Sequence, residues 1–335
     1  IPVDARGAAT GPCIMWMDSR GQADSMAILA DDTFELFSTR HGMIPLPTGN
    51  DNAAHVAVLR RHHPDAYAAA VAMVEPMDHL TARLTGRVTA TQSTAFGMLV
   101  CDNRTWGAGY DPELVAATRL DPDRLAPLVP MSEPLGPLLP DVAAELGLPA
   151  GIPVLPGTID SITGAIGAGA IDAASAAVVI GTTSVLVTHV GSPVNDLFRG
   201  VLSVPSPLPH RWFVMAENGL GGRVLEWALG LVGRAGDIEA ALAEAATFEP
   251  GSDGVAVLPW LLGSLAPSPD DDQRGAITGL SLRHDRRHVV RATLEGVALN
   301  LAWLRPVVEE MVGVQYDRLR FGGGGAQSDL WAQIL

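Results

Sequence analysis

The sequence contains no lysine, because all 22 basic residues of the 335-residue chain are arginines. A Walker A loop needs a lysine after its glycines, and Schiff-base or pyridoxal-phosphate chemistry needs a lysine amine, so the sequence excludes both. Any bound phosphate group must therefore be held by backbone N–H groups, by arginine or by a metal ion.

Cysteine and long apolar runs are also scarce. The two cysteines, Cys13 and Cys101, form neither a CxxC motif nor a disulfide framework, which favours a reducing compartment. No apolar run reaches the ~18 residues of a membrane span. The net charge of -15 and the pI near 4.9 repel nucleic acid and anionic membranes. The sequence predicts a cytoplasmic globular protein that has neither of these as a partner.

The length and the ends of the chain bear on its domain organisation. A length of 335 residues predicts two domains, and a change to β-branched runs from Ala176 predicts a division into residues 1–172 and 173–335. The sequence opens at Ile1 without an initiator methionine and stops at Leu335 inside a predicted helix. We therefore expect it to be a piece of a longer protein.

Periodicity and turn residues predict alternating strands and helices in both halves, and hence an α/β fold. The first half is predicted to contain a buried strand, three helices and a short later strand, at Pro12–Met17, Gln22–Leu29, Asn52–Arg61, Pro64–Val74 and Pro153–Leu155. The second half is predicted to contain a hairpin within residues 176–190, followed by helices and strands at Gly222–Val232, Ile238–Ala246, Gly254–Leu258, His288–Val312 and Asp317–Phe321.

Two glycine-containing turns are candidate ligand sites. Four glycines at 322–325 separate a predicted strand from a predicted helix, which lets the backbone approach a flat or anionic ligand next to free helix N–H groups. A flexible turn is the alternative. Gly181, Thr182 and Thr183 lie in a tight turn whose amides and hydroxyls can surround phosphate oxygens, although a plain hairpin turn explains the same residues.

Carboxylates supply the other candidates. Asp160 follows a predicted strand and precedes a helix of small residues, so it is a candidate general base or a helix N-cap, and the two roles are compatible. Asp18 and Arg20 can bind a polyol or form a structural ion pair, and the ion pair is favoured. The histidines lack the spacing of a metal site, and four of them are predicted to be solvated: His62, His63, His284 and His288.

Taken in order, nine segments resemble the FGGY carbohydrate kinase family, over almost the whole chain. They are WMDSR (16–20), RLTG (83–86), TQSTA (91–95), GLPAGIPVLPGTID (147–160), VVIGTTSVL (178–186), LPWLLGSLAP (258–267), RGAITGLSLRH (274–284), RATLEGVALNL (291–301) and GGGGAQSDLWAQ (322–333). The resemblance implies the two-domain actin-like or ribonuclease H-like ATPase fold, with a ligand cleft between the domains. It also implies that an N-terminal phosphate loop precedes Ile1 and that further helices follow Leu335.

The resemblance implies ATP- and Mg²⁺-dependent phosphorylation of a sugar or polyol hydroxyl. By position, Asp160 matches the family's catalytic base and a sugar contact. Asp18 and Arg20 match sugar contacts. Their segment, WMDSR, is most similar to the xylulokinase-like branch, which favours a ketopentose such as xylulose as the substrate. Two further groups match nucleotide contacts: a phosphate turn of Gly181, Thr182 and Thr183, and an adenosine motif containing Gly323, Gly324 and Gln327.

Two other functions are alternatives to this one. A catalytically silent nucleotide- or sugar-binding module of the same fold would share every motif above. A Rossmann dehydrogenase is disfavoured, because no acidic residue follows the glycines by ~20 positions. The sugar, the hydroxyl that is phosphorylated and the oligomeric state, including a homodimer, stay open.

Overall fold

The structure is a computed structural model that describes all 335 residues. Contacts divide the chain into two compact units, the first formed by residues 1–163 and 204–212 and the second by residues 164–203 and 213–335. The sequence-based division after residue 172 stays a prediction. No helix is both long enough and apolar enough to cross a membrane.

The first unit consists mainly of helices, with short strands in antiparallel pairs. Its elements are β1 (Pro2–Val3), α1 (Gln22–Leu29), α2 (Phe34–Leu36), α3 (Asn52–His62), α4 (Pro64–Ala69), β2 (Ala72–Met73), α5 (Pro76–Thr85), α6 (Pro112–Thr118), β3 (Gly136–Pro137), α7 (Pro140–Leu146) and β4 (Pro153–Val154). Helix α8 (Asp160–Gly167) runs from this unit into the second.

Two sequence predictions in the first unit are wrong. The predicted helix Pro64–Val74 ends at Ala69, because Ala72 and Met73 pair with β1 instead of continuing the helix. The predicted buried strand Pro12–Met17 is absent: the segment has no strand partner, and Trp16 is 69% exposed. An apolar run indicates a strand only if a neighbouring strand can pair with it.

The second unit is an α/β layer around one five-stranded sheet. Its elements are β5 (Ala176–Ile180), β6 (Thr183–Val190), β7 (Val201–Pro205), β8 (Trp212–Leu220), α9 (Gly222–Leu231), α10 (Ile238–Ala245), β9 (Ala256–Leu258), β10 (Ala276–Thr278), α11 (Arg286–Val312), β11 (Leu319–Gly322) and α12 (Asp329–Ile334). The strand order in the large sheet is β11-β5-β6-β8-β7.

Strand pairing places two of the predicted sites at the same edge of this sheet. β5 and β6 form the predicted antiparallel hairpin. β11 lies parallel to β5, with Phe321 opposite Val178 and Gly322 opposite Val179. Because the carboxyl ends of parallel strands meet at one edge, the glycines after β11 lie next to the Gly181 turn after β5.

Helix α11 confirms the predicted long helix, starting two residues earlier. Asp285 caps its N-terminus by accepting a hydrogen bond from the Arg287 N–H. The ring of His288 lies 3.1 Å from the Asp285 carboxylate and packs on Phe248. His288 is only 4% exposed, so its predicted place at the surface is wrong. Three residues after the cap, its ring accepts a hydrogen bond from the Asp285 N–H at 3.0 Å and packs on Phe248, and these contacts bury it.

Two buried titratable groups in the first unit act on stability in opposite directions. Burial raises the pKa of Asp78 on α5 to about 7, and the nearby Glu75 adds to the rise, against a hydrogen bond from Thr94. Burial lowers the pKa of His41 to about 4. As the pH rises from 4 to 7, Asp78 loses its proton in the unfolded state but keeps it in the folded state, so the free energy of unfolding falls. As the pH drops from 6.5 to 4, the unfolded state gains a proton that buried His41 refuses, so stability falls as well.

We therefore expect Asp78→Asn to gain stability relative to the wild type as the pH rises from 4.5 to 7.5. The amide keeps the shape of the side chain but has no proton to lose. The relative gain should be about 3 kcal/mol, because over most of this range the carboxyl is protonated in the folded state only, and each such pH unit corresponds to ~1.4 kcal/mol. Urea unfolding of both proteins at several pH values measures it. A stability difference that stays constant with pH would contradict the assignment to Asp78.

Candidate functional site

The turn between β5 and β6 is fixed by backbone contacts with the start of α9. The Gly222 N–H donates to the Gly181 oxygen at 2.8 Å, and the Gly221 N–H donates to the Thr182 oxygen at 3.0 Å. A Cβ at Gly221 or Gly222 would lie 2.7 Å from a backbone oxygen of the turn. These two glycines permit the close approach that makes the turn rigid.

The glycines at 322–325 have different structural roles. Gly323 has a φ of 81°, and a Cβ there would lie 2.4 Å from the Ile180 oxygen. A Cβ at Gly325 would lie 2.9 Å from the Ile180 Cβ, whereas a Cβ at Gly324 would meet nothing within 4 Å. Gly323 and Gly325 therefore let the loop pack on β5, and Gly324 faces open space.

That open space is a cavity of about 420 Å³ within the second unit. Gly181 and Thr182 line it on one side, and Gly324 and Gln327 line it on another. The rest of the wall is mixed: it has four apolar side chains, Leu225, Ile238, Leu242 and Trp331, and three polar ones, Glu226, Glu239 and Ser328. The volume is within the range of small-molecule sites, and an apolar wall with a few convergent polar groups is typical of them.

A carboxylate that sequence reasoning missed lies beside this turn. Glu217 on β8 accepts a hydrogen bond from Thr183, and burial raises the pKa of Glu217 despite that hydrogen bond. Its backbone oxygen accepts a hydrogen bond from the Ala266 N–H at 3.0 Å. The available signal was an acidic residue inside an otherwise apolar strand, WFVMAENGL. Thr183 therefore has a carboxylate partner and is oriented by it.

Asp160 is the first residue of α8, in the first unit. The Thr163 N–H donates to the Ile159 oxygen, so Ile159 and not Asp160 is the N-cap of this helix. The side chain is exposed, and its carboxylate accepts a hydrogen bond from the Ser161 hydroxyl at 3.2 Å. An exposed carboxylate at a helix N-terminus can accept a proton from a bound hydroxyl.

Asp18 and Arg20 form the predicted ion pair in the exposed loop before α1. The Arg20 Nε lies 2.9 Å from both carboxylate oxygens, and this side chain lowers the pKa of Asp18 to about 2. The His55 Nε2 lies 2.8 Å from the Asp18 backbone oxygen and so connects the loop to α3. The neighbouring Trp16 presents an exposed ring. Paired charges on an exposed loop can supply hydrogen-bond donors and acceptors to a polyhydroxylated ligand.

The structure therefore brings together the residues predicted to contact nucleotide. Gly181, Thr182, Gly324 and Gln327 line one cavity, with Thr183 next in the turn. Gly323 packs on β5 and so lets the loop lie against that strand. The residues predicted to contact sugar are in the first unit.

Sequence comparison identifies what the chain resembles. Residues 1–167 match the N-terminal domain, and residues 176–335 the C-terminal domain, of the "FGGY family of carbohydrate kinases". The xylulose kinase of Escherichia coli K12 is 30% identical over 99% of this chain and 67% of its own length. The gluconokinase of Bacillus subtilis is 26% identical over all of this chain and 66% of its own length. The chain thus spans about two thirds of these relatives.

Structure comparison gives the same answer. The crystal structure of a "xyloylose kinase" from Brucella ovis superposes with a TM-score of 0.87 and 28% identity, covering 99% of this chain and 67% of that one. The predicted fold class, the two-domain actin-like or ribonuclease H-like ATPase fold, is confirmed.

Proposed function

The chain belongs to the FGGY family of carbohydrate kinases, and we propose from this premise that it transfers the γ-phosphoryl group of ATP to a hydroxyl of a sugar, a ketopentose such as xylulose. One observation in the structure carries the nucleotide part of the proposal. Two turns that lie far apart in the sequence, Gly181–Thr182 and Gly324–Gln327, line one cavity of about 420 Å³ at the carboxyl ends of parallel strands.

The cavity suits a nucleotide better than it suits a sugar. Its apolar side chains can cover a flat base, and open Gly324 leaves room for the base against backbone. The Gly181–Thr183 turn supplies amides and hydroxyls for phosphate oxygens in a chain without lysine. We therefore assign adenosine to the Gly323, Gly324 and Gln327 side and phosphate to the turn.

We assign the role of general base to Asp160. As the sugar hydroxyl oxygen forms its bond to the γ-phosphorus, the bond from that phosphorus to the β-γ bridging oxygen breaks and ADP leaves. The hydroxyl proton passes to the Asp160 carboxylate, which is exposed and able to receive it. Alignment of the two substrates and stabilisation of the transferring charge supply the rest of the rate enhancement.

Mg²⁺ fits the donor groups that the chain offers. With nucleotides this ion takes one or two carboxylates plus phosphate oxygens and keeps several waters, so it needs no dedicated cluster of ligands. Glu217, which accepts a hydrogen bond from Thr183 of the phosphate turn, is such a carboxylate. When bound, the ion would neutralise charge on the phosphates.

The sugar assignment rests on the loop of Asp18 and Arg20. Their ion pair presents donors and acceptors in a fixed arrangement, and Trp16, two residues before Asp18 in the sequence, has an exposed ring. Among the relatives, both a xylulose kinase and a gluconokinase align with almost the entire chain. We favour the ketopentose, since the xylulose kinase has the higher identity.

An ADP-release assay with MgATP tests the proposal on D-xylulose, D-gluconate and glycerol. We expect ADP release that depends on the sugar, with the highest kcat/KM for D-xylulose. Binding of MgADP without turnover on any of the three would favour the alternative, a catalytically silent binding module of the same fold. A folded chain that binds neither nucleotide nor sugar would refute both.

A further inference from the structure

The segment Thr91–Thr94 forms a buried polar turn that the proposed function does not use. The Thr91 N–H donates to the Thr94 hydroxyl oxygen at 2.9 Å, and the Thr94 N–H donates to the Thr91 hydroxyl oxygen at 3.1 Å. All four side chains are at most 3% exposed. Two reciprocal hydrogen bonds in a buried site make this turn a rigid platform.

Ser93 connects this platform to the loop that carries Asp160. Its hydroxyl lies 3.0 Å from the hydroxyl of Thr158, two residues before Asp160. The adjacent Gly157 packs so closely on α5 that a Cβ there would lie 2.5 Å from the Met77 Cβ. The loop before α8 is therefore anchored at two successive residues.

Asp160 has little else to hold it. Its carboxylate is exposed, and the donor that hydrogen-bonds to it is the hydroxyl of the neighbouring Ser161, at 3.2 Å. The position of the carboxylate is therefore set by the backbone that leads into α8, because no buried side chain holds it directly. A base that is displaced by about 1 Å can lose on the order of 10² in rate.

We propose that Ser93 and Thr158 are positioning residues for Asp160, and that their mutual hydrogen bond fixes the carboxylate relative to the hydroxyl it deprotonates. This role rests on the proposed function. Neither residue touches the reacting atoms, so removal of the bond should lower kcat and leave the affinity for nucleotide unchanged, because the nucleotide residues belong to the other unit.

The test compares Thr158→Val with Thr158→Ser, using MgATP and the sugar of the panel on which the wild type has the highest kcat/KM. Valine keeps the volume but removes the hydroxyl, and we expect kcat to fall about tenfold or more with an unchanged KM for MgATP. Serine keeps the hydroxyl and should restore at least half of the wild-type kcat. Thr118→Val is the matched control, because this buried threonine also loses a hydroxyl that bonds at 2.8 Å, to the Val115 oxygen in α6.

A double-mutant cycle identifies the pair itself. Ser93→Ala should reproduce the loss seen with Thr158→Val, and the double variant should lose no more than either single variant, since one bond is removed in all three. Amide hydrogen exchange at residues 158 to 162 should be faster in Thr158→Val than in the wild type and unchanged in Thr118→Val.

Three results would overturn the positioning role of Ser93 and Thr158, and the third would overturn the proposed function as well. Additive losses would show that the residues act separately, and a wild-type kcat in Thr158→Val would show that the bond is dispensable. Both leave the kinase activity intact. Absence of turnover in the wild type, by contrast, would overturn the proposed function and this role with it.

Discussion

Asp160→Asn should lower kcat by about 10²–10⁴ while MgADP binding stays at the wild-type value. Asparagine has the shape of aspartate and can still accept the hydrogen bond from Ser161, but its amide cannot take the proton of the attacking hydroxyl. Because the side chain is exposed at the start of α8, we expect little change in folding.

The control for this variant is Asp141→Asn. Asp141 is also an exposed aspartate in the first turn of a helix, α7, within the same unit, so the same change there removes the same favourable interaction with a helix N-terminus. Steady-state kinetics with MgATP and the preferred sugar, together with calorimetric titration of MgADP, separate turnover from binding. If Asp160→Asn kept kcat within about threefold of Asp141→Asn, Asp160 would not be the base.

Local residue patterns and turn residues predicted several of the helices. Helix α1 begins and ends where the sequence predicts, and α9 and α10 end within one residue of the prediction. The failures lie where one local pattern fits two environments. The apolar run at residues 12–17 is equally compatible with a buried strand and with an exposed loop, and only the absence of a pairing strand decides between them.

The sequence predicted which residues belong to the candidate site, but it did not predict how these residues are arranged in space. The motifs indicated Gly181 and Gly324 as candidates. These residues line one cavity because β11 pairs in parallel with β5. That pairing joins segments more than a hundred residues apart, and no local pattern encodes it. The contact between Ser93 and Thr158 escaped prediction for the same reason, whereas Glu217 left a local signal, an acidic residue within strand β8, that was not used.

Substitution of individual glycines in the loop after β11 separates ligand binding from folding. Gly324→Leu should weaken binding of MgADP by about 100-fold or more, roughly 2.8 kcal/mol, with little loss of stability. A Cβ at Gly324 would meet no protein atom within 4 Å, and Gly324 lines the cavity, so a leucine side chain there takes the space that the base requires. The control is Gly322→Ala, whose Cβ would contact Val179 at an ordinary 3.7 Å.

Gly323→Ala should have the opposite profile, a loss of about 2 kcal/mol or more in the free energy of unfolding. Its backbone has a φ of 81°, and the new Cβ would lie 2.4 Å from the Ile180 oxygen, so strand β5 must shift. Calorimetric titration and urea unfolding on the same three variants measure both quantities. If Gly324→Leu bound MgADP as tightly as Gly322→Ala while both remained folded, the cavity would not be the base site, and the glycines would serve only to pack the loop on β5.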